Sequence, residues 1–261
     1  MHRPVLLNLV LDINWNISKT FFLIFLPVVF LLSCEENGFL DAGEEITGIK
    51  ELKDFNTVHV NDIFELELVQ DTINKIEITA GEHLIDQIST KVSDTTLSID
   101  NENIMRWSRG YEPVKLRLHL KNLRKLRLNA PCNVSTANTI NNYKIDVWNI
   151  AEAGTIMMQI ETVVFYFVNS STSTGDFHFS GSTRIAGCWI RGSGHYNSMD
   201  LRSEFSNIHQ SSIADAYVYS GNTLNVWIDS EANLYYTGEP DSVILEEDTP
   251  PEQLIKLGKT P

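Results

Sequence analysis

From Leu52 onward the chain alternates apolar and polar residues at a period of two. Residues 55–60, 64–69, 75–79, 96–100 and 114–120 all carry the pattern, as in Phe64-Glu-Leu-Glu-Leu-Val69. Successive side chains of a strand point to opposite faces, so each segment predicts a strand buried on one side. Turn residues such as Asn61-Asp62 and Asp71-Thr72 stand between them. Residues 83–88 could form a single helical turn, and no longer amphipathic helical run appears after them. The pattern predicts an all-β chain.

The second half repeats itself. Residues 126–134, 147–156, 166–177, 188–196, 207–214 and 226–234 each carry an apolar strand, a Gly/Ser/Asn-rich corner and another short apolar strand. The first residue after each corner is Val134, Ile156, Phe177, Tyr196, Ala214 and Leu234, at intervals of 22, 21, 19, 18 and 20. A period near twenty with small polar corners predicts a solenoid of β-coils, each burying its apolar residues only against its neighbours.

The N-terminus reads differently. Lys19 precedes an uncharged apolar run over residues 21–32, twelve residues long, whereas a spanning helix needs roughly 18–20. A basic residue, a short apolar core and a small residue form the secretory signal pattern. Leu31-Leu32-Ser33-Cys34 resembles the lipobox of bacterial lipoproteins. That resemblance implies that residues 1–33 are removed as a signal peptide and that the Cys34 thiol takes lipid. Acyl chains contribute ~0.8 kcal/mol per buried CH₂, so the expected first partner is a membrane, reached through the anchor. Residues 34–48 read as a tether, and residues 241–261, with Pro250-Pro251, as a peripheral tail. Glu35-Glu36-Asn37 resembles the acidic signal of surface-displayed lipoproteins. The expected location is therefore the cell envelope, at the outer membrane, with a periplasmic and an outward-facing position both left open.

Charge narrows the partners. The full chain carries a net −14. Loss of residues 1–33 takes away Arg3, Lys19 and Asp12, leaving 18 basic and 33 acidic side chains and a net −15. Long-range repulsion then disfavours nucleic acid. The basic segment 115–127 alternates Lys and Arg with Leu and reads as the wet face of two strands.

Residues 55–60, 64–71, 97–99 and 114–128, followed by Arg191-Gly-Ser-Gly-His195 and Tyr236-Thr-Gly-Glu-Pro240, resemble a lipoprotein family, the auto-transporter adhesins with a head GIN domain. The resemblance spans about residues 52–243. It implies an all-β fold, a right-handed single-stranded parallel β-helix-like solenoid, here over residues 49–240. It also implies an adhesion or binding module. Most Gly-Ser-Gly corners are replaced, for example by Asp229-Ser-Glu-Ala-Asn233.

Catalysis finds little support. The histidines make no pair at metal-ligand spacing, and Cys132 and Cys188 fall on different coils. No metal, cofactor or catalytic residue is therefore expected, and the chain reads as a non-enzyme. At ~4.8 Å per coil the two cysteines lie about 14 Å apart, beyond a disulfide's reach of roughly 7 Å between α-carbons. The enzymatic alternative is a carbohydrate-active β-helix, a lyase or hydrolase, which needs closely paired carboxylates. Glu161 and Asp200 fall two coils apart, and Asp176 has Thr155 and His195 as its expected vertical neighbours. An aromatic column offers more. Aligning the strands that enter the corners stacks Trp148, Phe167, Trp189, Asn207 and Trp227. Inward-facing Cys188, Ile190, Val226 and Ile228 would turn Trp189 and Trp227 outward, a surface for a glycan or a surface protein.

Overall fold

The computed structural model describes residues 42–102 and 114–258. The expected signal peptide, Cys34 and the expected tether up to Asp41 lie outside the described residues. The first half contains β1 (Glu45–Glu51), β2 (Thr57–Val60), β3 (Phe64–Gln70), β4 (Lys75–Gly81), the short helix α1 (Glu82–Ile85), β5 (Ile88–Ser93), β6 (Thr96–Asn101), β7 (Lys115–Leu120), β8 (Lys125–Leu128) and β9 (Cys132–Thr136). The second half contains β10 (Ile140–Asn149), β11 (Gly154–Asn169), β12 (Asp176–Gly192), β13 (His195–Ser212), β14 (Ala216–Tyr219), β15 (Thr223–Ile228), β16 (Leu234–Thr237), β17 (Ser242–Leu245) and β18 (Leu254–Lys256). Together they form a β-solenoid of about seven turns, with α1 at the position read as a helical turn.

Two sheets line the solenoid, joined by long strands that bend from one to the other. One sheet runs β1-β4-β7-β3-β9, then through the first parts of β11, β12 and β13 to β14, β16 and β18. The other runs β5-β6-β2-β8-β10, then through the second parts of β11, β12 and β13 to β15 and β17. Pairing is parallel from coil to coil, with antiparallel β1, β4 and β5 added at the N-terminal end.

The coils do not stack in chain order throughout. β2 pairs with β6 on one side and β8 on the other, and β3 likewise pairs with β7 and β9. The first coil is thus sandwiched between the second and the third.

Alternation delivers the core. Leu116, Leu66, Val134, Ile156, Phe177, Tyr196, Ala216 and Leu234 stand in register and are all buried. The sequence alignment placed Ala214 in this column. Ala216 takes its place because the corner after β13 is two residues longer. Inside the middle coils Phe165, Phe167, Phe177, Phe179 and Tyr196 pack with ring centroids 4.8–5.8 Å apart. Each such ring, fully buried, stabilises the fold by roughly 1.5–3 kcal/mol.

Polar side chains close the corners. Asn169, wholly buried, donates from Nδ2 to the Arg191 carbonyl (2.5 Å) and accepts from the Arg191 N–H (2.8 Å). Asn149 donates to Ser173 Oγ at 3.1 Å. These amides take the place of hydrogen bonds that the turning backbone would otherwise leave unmade in a dry interior.

Two boundaries differ from the sequence reading. The last residues of the tether, from Glu45, already form β1 against β4. Residues after 240, read as a tail, supply β17 and β18, which pair in parallel with β15 and β16.

Candidate functional site

The second sheet's outer face is set by period-two alternation. Val147, Cys188, Ile208 and Val226 are buried, so Trp148, Trp189, His209 and Trp227, one position on, point outward. Cross-strand register aligns Arg127, Trp148, Val168, Trp189, His209 and Trp227 in one row. Three of the four aromatic residues expected in the column, Trp148, Trp189 and Trp227, therefore share it.

Phe167 does not. It is wholly buried among the core rings, and Val168 occupies its place in the row. A slip of one residue along a strand moves a side chain to the opposite face. Asn207 is likewise replaced by His209, two residues on. Val168 and His209 could have been found by the same alternation, since Phe165 and Phe167 share one parity and Ile208 flanks His209 as Val226 flanks Trp227.

The row is a stack. The Trp189 and His209 rings lie 5.2 Å apart with planes 6° from parallel, and His209 and Trp227 lie 4.2 Å apart at 4°. The Arg191 guanidinium sits 4.4 Å over Trp189. Because Arg191 Nε also donates to the Asn169 carbonyl on the preceding coil (2.7 Å), it covers the face opposite His209. Lys125 stands 3.9 Å over Trp148. Neighbours thus take both faces of Trp189 and one face of Trp227, which stay 43% and 46% exposed.

Asp229 anchors the centre, its Oδ2 2.9 Å from His209 Nε2. Partial burial would raise its pKa, but hydrogen bonds from Ser211 and His209 outweigh that and hold it below the usual carboxylate value. Trp189 Nε1–H points at Ser211 Oγ, 3.4 Å away.

The remaining chemistry is dispersed. Asp176 stands between Thr155 and His195 in register, as the spacing implied. Glu161 aligns with Ser182, while Asp200 aligns with Ser180, so the two carboxylates occupy different rows. His178 and His195 are exposed. Among the described residues no three His, Cys, Asp or Glu side chains gather in a metal-binding group. Cys132 and Cys188 are free and buried, and burial pushes both thiols up to about 12, far from a reactive thiolate at neutral pH. Cys188 Sγ lies 2.9 Å from the Tyr196 hydroxyl.

Residues 54–240 match the family described as "Putative auto-transporter adhesin, head GIN domain". The chain belongs to this family. The fold of this head GIN domain chain is similar to that of solved structures described as putative adhesins. One from Bacteroides fragilis shares 16% identity over 83% of this chain and 97% of its own, with a TM-score of 0.74. One from Parabacteroides merdae shares 14% over 83% and 97%, with a TM-score of 0.62. A structure from Parabacteroides distasonis described as a "Putative lipid binding protein" shares 16% over 84% and 99%, at 0.55. At these identities the likeness is one of fold. No curated protein matches the chain.

Proposed function

We propose that this head GIN domain protein is an envelope lipoprotein, held to the outer membrane by lipid on Cys34, that binds without catalysing. Its binding surface is the outer row of the second sheet, Trp148, Trp189 and Trp227 with His209. The observation that carries this reading is the exposure of two indoles, 43% and 46%, on either side of the stacked His209 ring on one face. Adjacent exposed apolar groups of this size mark contact surfaces more often than isolated ones do. Because His209 and Arg191 take both faces of Trp189 and His209 takes one face of Trp227, a flat sugar ring has at most one face of these two indoles to stack on. Exposed indoles beside Arg191 suit the apolar and acidic side chains of a surface protein.

Beads coated with residues 42–258 should adhere to intact cells through protease-sensitive sites. The Trp189→Ala, Trp227→Ala double variant should lose that adhesion. Its fold should persist, since stacking of such rings contributes only about 0.5–1.5 kcal/mol per pair. A folded double variant that adheres as well as the parent would end the reading. For the anchor, Cys34→Ser in the full chain should move the protein from the membrane fraction to the soluble one; unchanged partitioning would refute lipidation.

A further inference from the structure

The outer face of the other sheet, away from the aromatic row, carries a groove of about 650 Å³ near the N-terminal end. Outward residues of β1, β4, β7, β3, β9 and β11 line it. Two rows cross it. One reads Glu77, Arg117, Glu67, Ser135, Met157 across five neighbouring strands. The other reads Thr79, Lys115, Glu65, Asn133, Thr155. Across the strands, at ~4.8 Å, the acceptors of β3 therefore adjoin the donors of β7, while along each strand like groups repeat, Arg117 with Lys115 and Glu67 with Glu65.

The charges are internally matched and held. Arg117 Nη1 lies 2.9 Å from Glu67 Oε2, and Lys115 Nζ lies 3.4 Å from Glu45 Oε2. Glu77 is 2.7 Å from Lys75, whose hydrogen bond does most to keep that carboxylate ionised. Glu65, by contrast, has no side-chain partner among the described residues, and Asn133 and Ser135 beside it also leave their polar groups free.

This lining excludes most ligand classes. A polyanion would meet Glu65, Glu67 and Glu77, with both cations already engaged. A polycation would meet Lys115 and Arg117 from above. An apolar ligand would have to strip water from ionised groups, at a cost of several kcal/mol each. An extended peptide binds a sheet by its free backbone edge, whereas the five strands that carry the two rows are each paired on both sides, and β1, which pairs with β4 alone, stands at the rim. What fits is a neutral molecule in which each group both donates and accepts, as a hydroxyl does. The row spacing is close to the length of one pyranose unit, and beyond Met157 the depression continues past His178 and Asn197.

We propose that this groove binds a neutral, linear oligosaccharide laid across the strands, with Arg117, Glu67, Glu65, Asn133 and Ser135 hydrogen-bonding its hydroxyls. The site is separate from the aromatic row and stands or falls apart from it.

Residues 42–258 can be titrated by calorimetry with cello-, malto-, manno-, xylo- and chito-hexaose, with a heparin hexasaccharide and an unstructured hexapeptide as comparisons. At least one neutral hexaose should bind with a Kd of about 1 mM or tighter. Ser135→Trp, which fills the groove, and Arg117→Ala should each weaken it at least about tenfold. The Trp189→Ala, Trp227→Ala variant should bind it unchanged, which separates this site from the adhesive row. Should Ser135→Trp fail to fold, the outward pair Glu65→Gln, Asn133→Ala gives the same readout without touching the core. The proposal is overturned if no neutral hexaose binds at that affinity, if binding survives groove filling, or if heparin or the peptide binds more tightly.

Discussion

At Gly154 the backbone sits at φ +121°, and a Cβ there would stand 2.5 Å from the Cys132 carbonyl oxygen of the preceding coil. Gly194 meets the same limit, 2.1 Å from the carbonyl oxygen of Gly175. Small residues at these corners are required by how closely successive coils approach, so the Gly-Ser-Gly stretch around Ser193 has a packing origin. Gly154→Ala combines a left-handed backbone with a backbone collision. It should destabilise the domain by roughly 1–3 kcal/mol, read as a lowered Tm in thermal denaturation. An unchanged Tm would mean that the corner relaxes freely. Phe167 shows how sharply one position matters, for it and Val168 are neighbours in sequence yet lie on opposite sides of the wall.

Elements acquire their meaning from what they pair with. β3, β4 and β7 bring Asp71, Glu77 and His119 together: His119 Nδ1 is 2.8 Å from Asp71 Oδ2, and its Nε2 is 3.4 Å from Glu77 Oε1. The hydrogen bond from His119, then the Thr72 N–H, holds the Asp71 carboxyl below its ordinary 3.8. A lowered carboxylate pKa adds stability that is present above the unfolded-state value and is lost as pH falls through the folded-state value. Asp71→Asn should therefore lower Tm at neutral pH. The gap from the parent should close as pH drops below 3.8, in a series of melts against pH. A gap that persists at the acid end would assign the effect to packing instead. In the aromatic row, Trp189, His209 and Trp227 on successive coils form a stack only because parallel register sets rings at about the coil spacing.

For the whole molecule, stability is shared between neighbouring coils. β17 and β18 cover the end of the stack, where Leu224, Val226 and Leu234 are wholly buried. Removing residues 241–261 should expose these side chains, lower Tm and promote association. Each 1 kcal/mol lost lowers Tm by about 2–4 °C in a domain of this size. A truncated chain that melts with the parent would show that the last half-coil is dispensable. At the other end, β1 and β5 close the two sheets by antiparallel pairing, so a solenoid built by parallel repetition begins with strands that do not repeat.

The amino-acid sequence by itself determined the strands, the faces they bury, the period near twenty and the family, because alternation and corner chemistry are local properties of one segment. Val134, Ile156, Phe177, Tyr196 and Leu234 align in space as their spacing implied. Tertiary structure alone decided the register where a corner changed length, exchanging Ala214 for Ala216, whereas the exchanges of Asn207 for His209 and Phe167 for Val168 were already legible in the alternation. It alone decided that the β2–β3 coil lies between its two successors, since hydrogen bonding between strands far apart in sequence is indifferent to chain order. The groove belongs to the same class of fact: Glu77, Arg117, Glu67 and Ser135 are scattered over 69 positions of the chain and meet because β4, β7, β3 and β9 pair out of sequence.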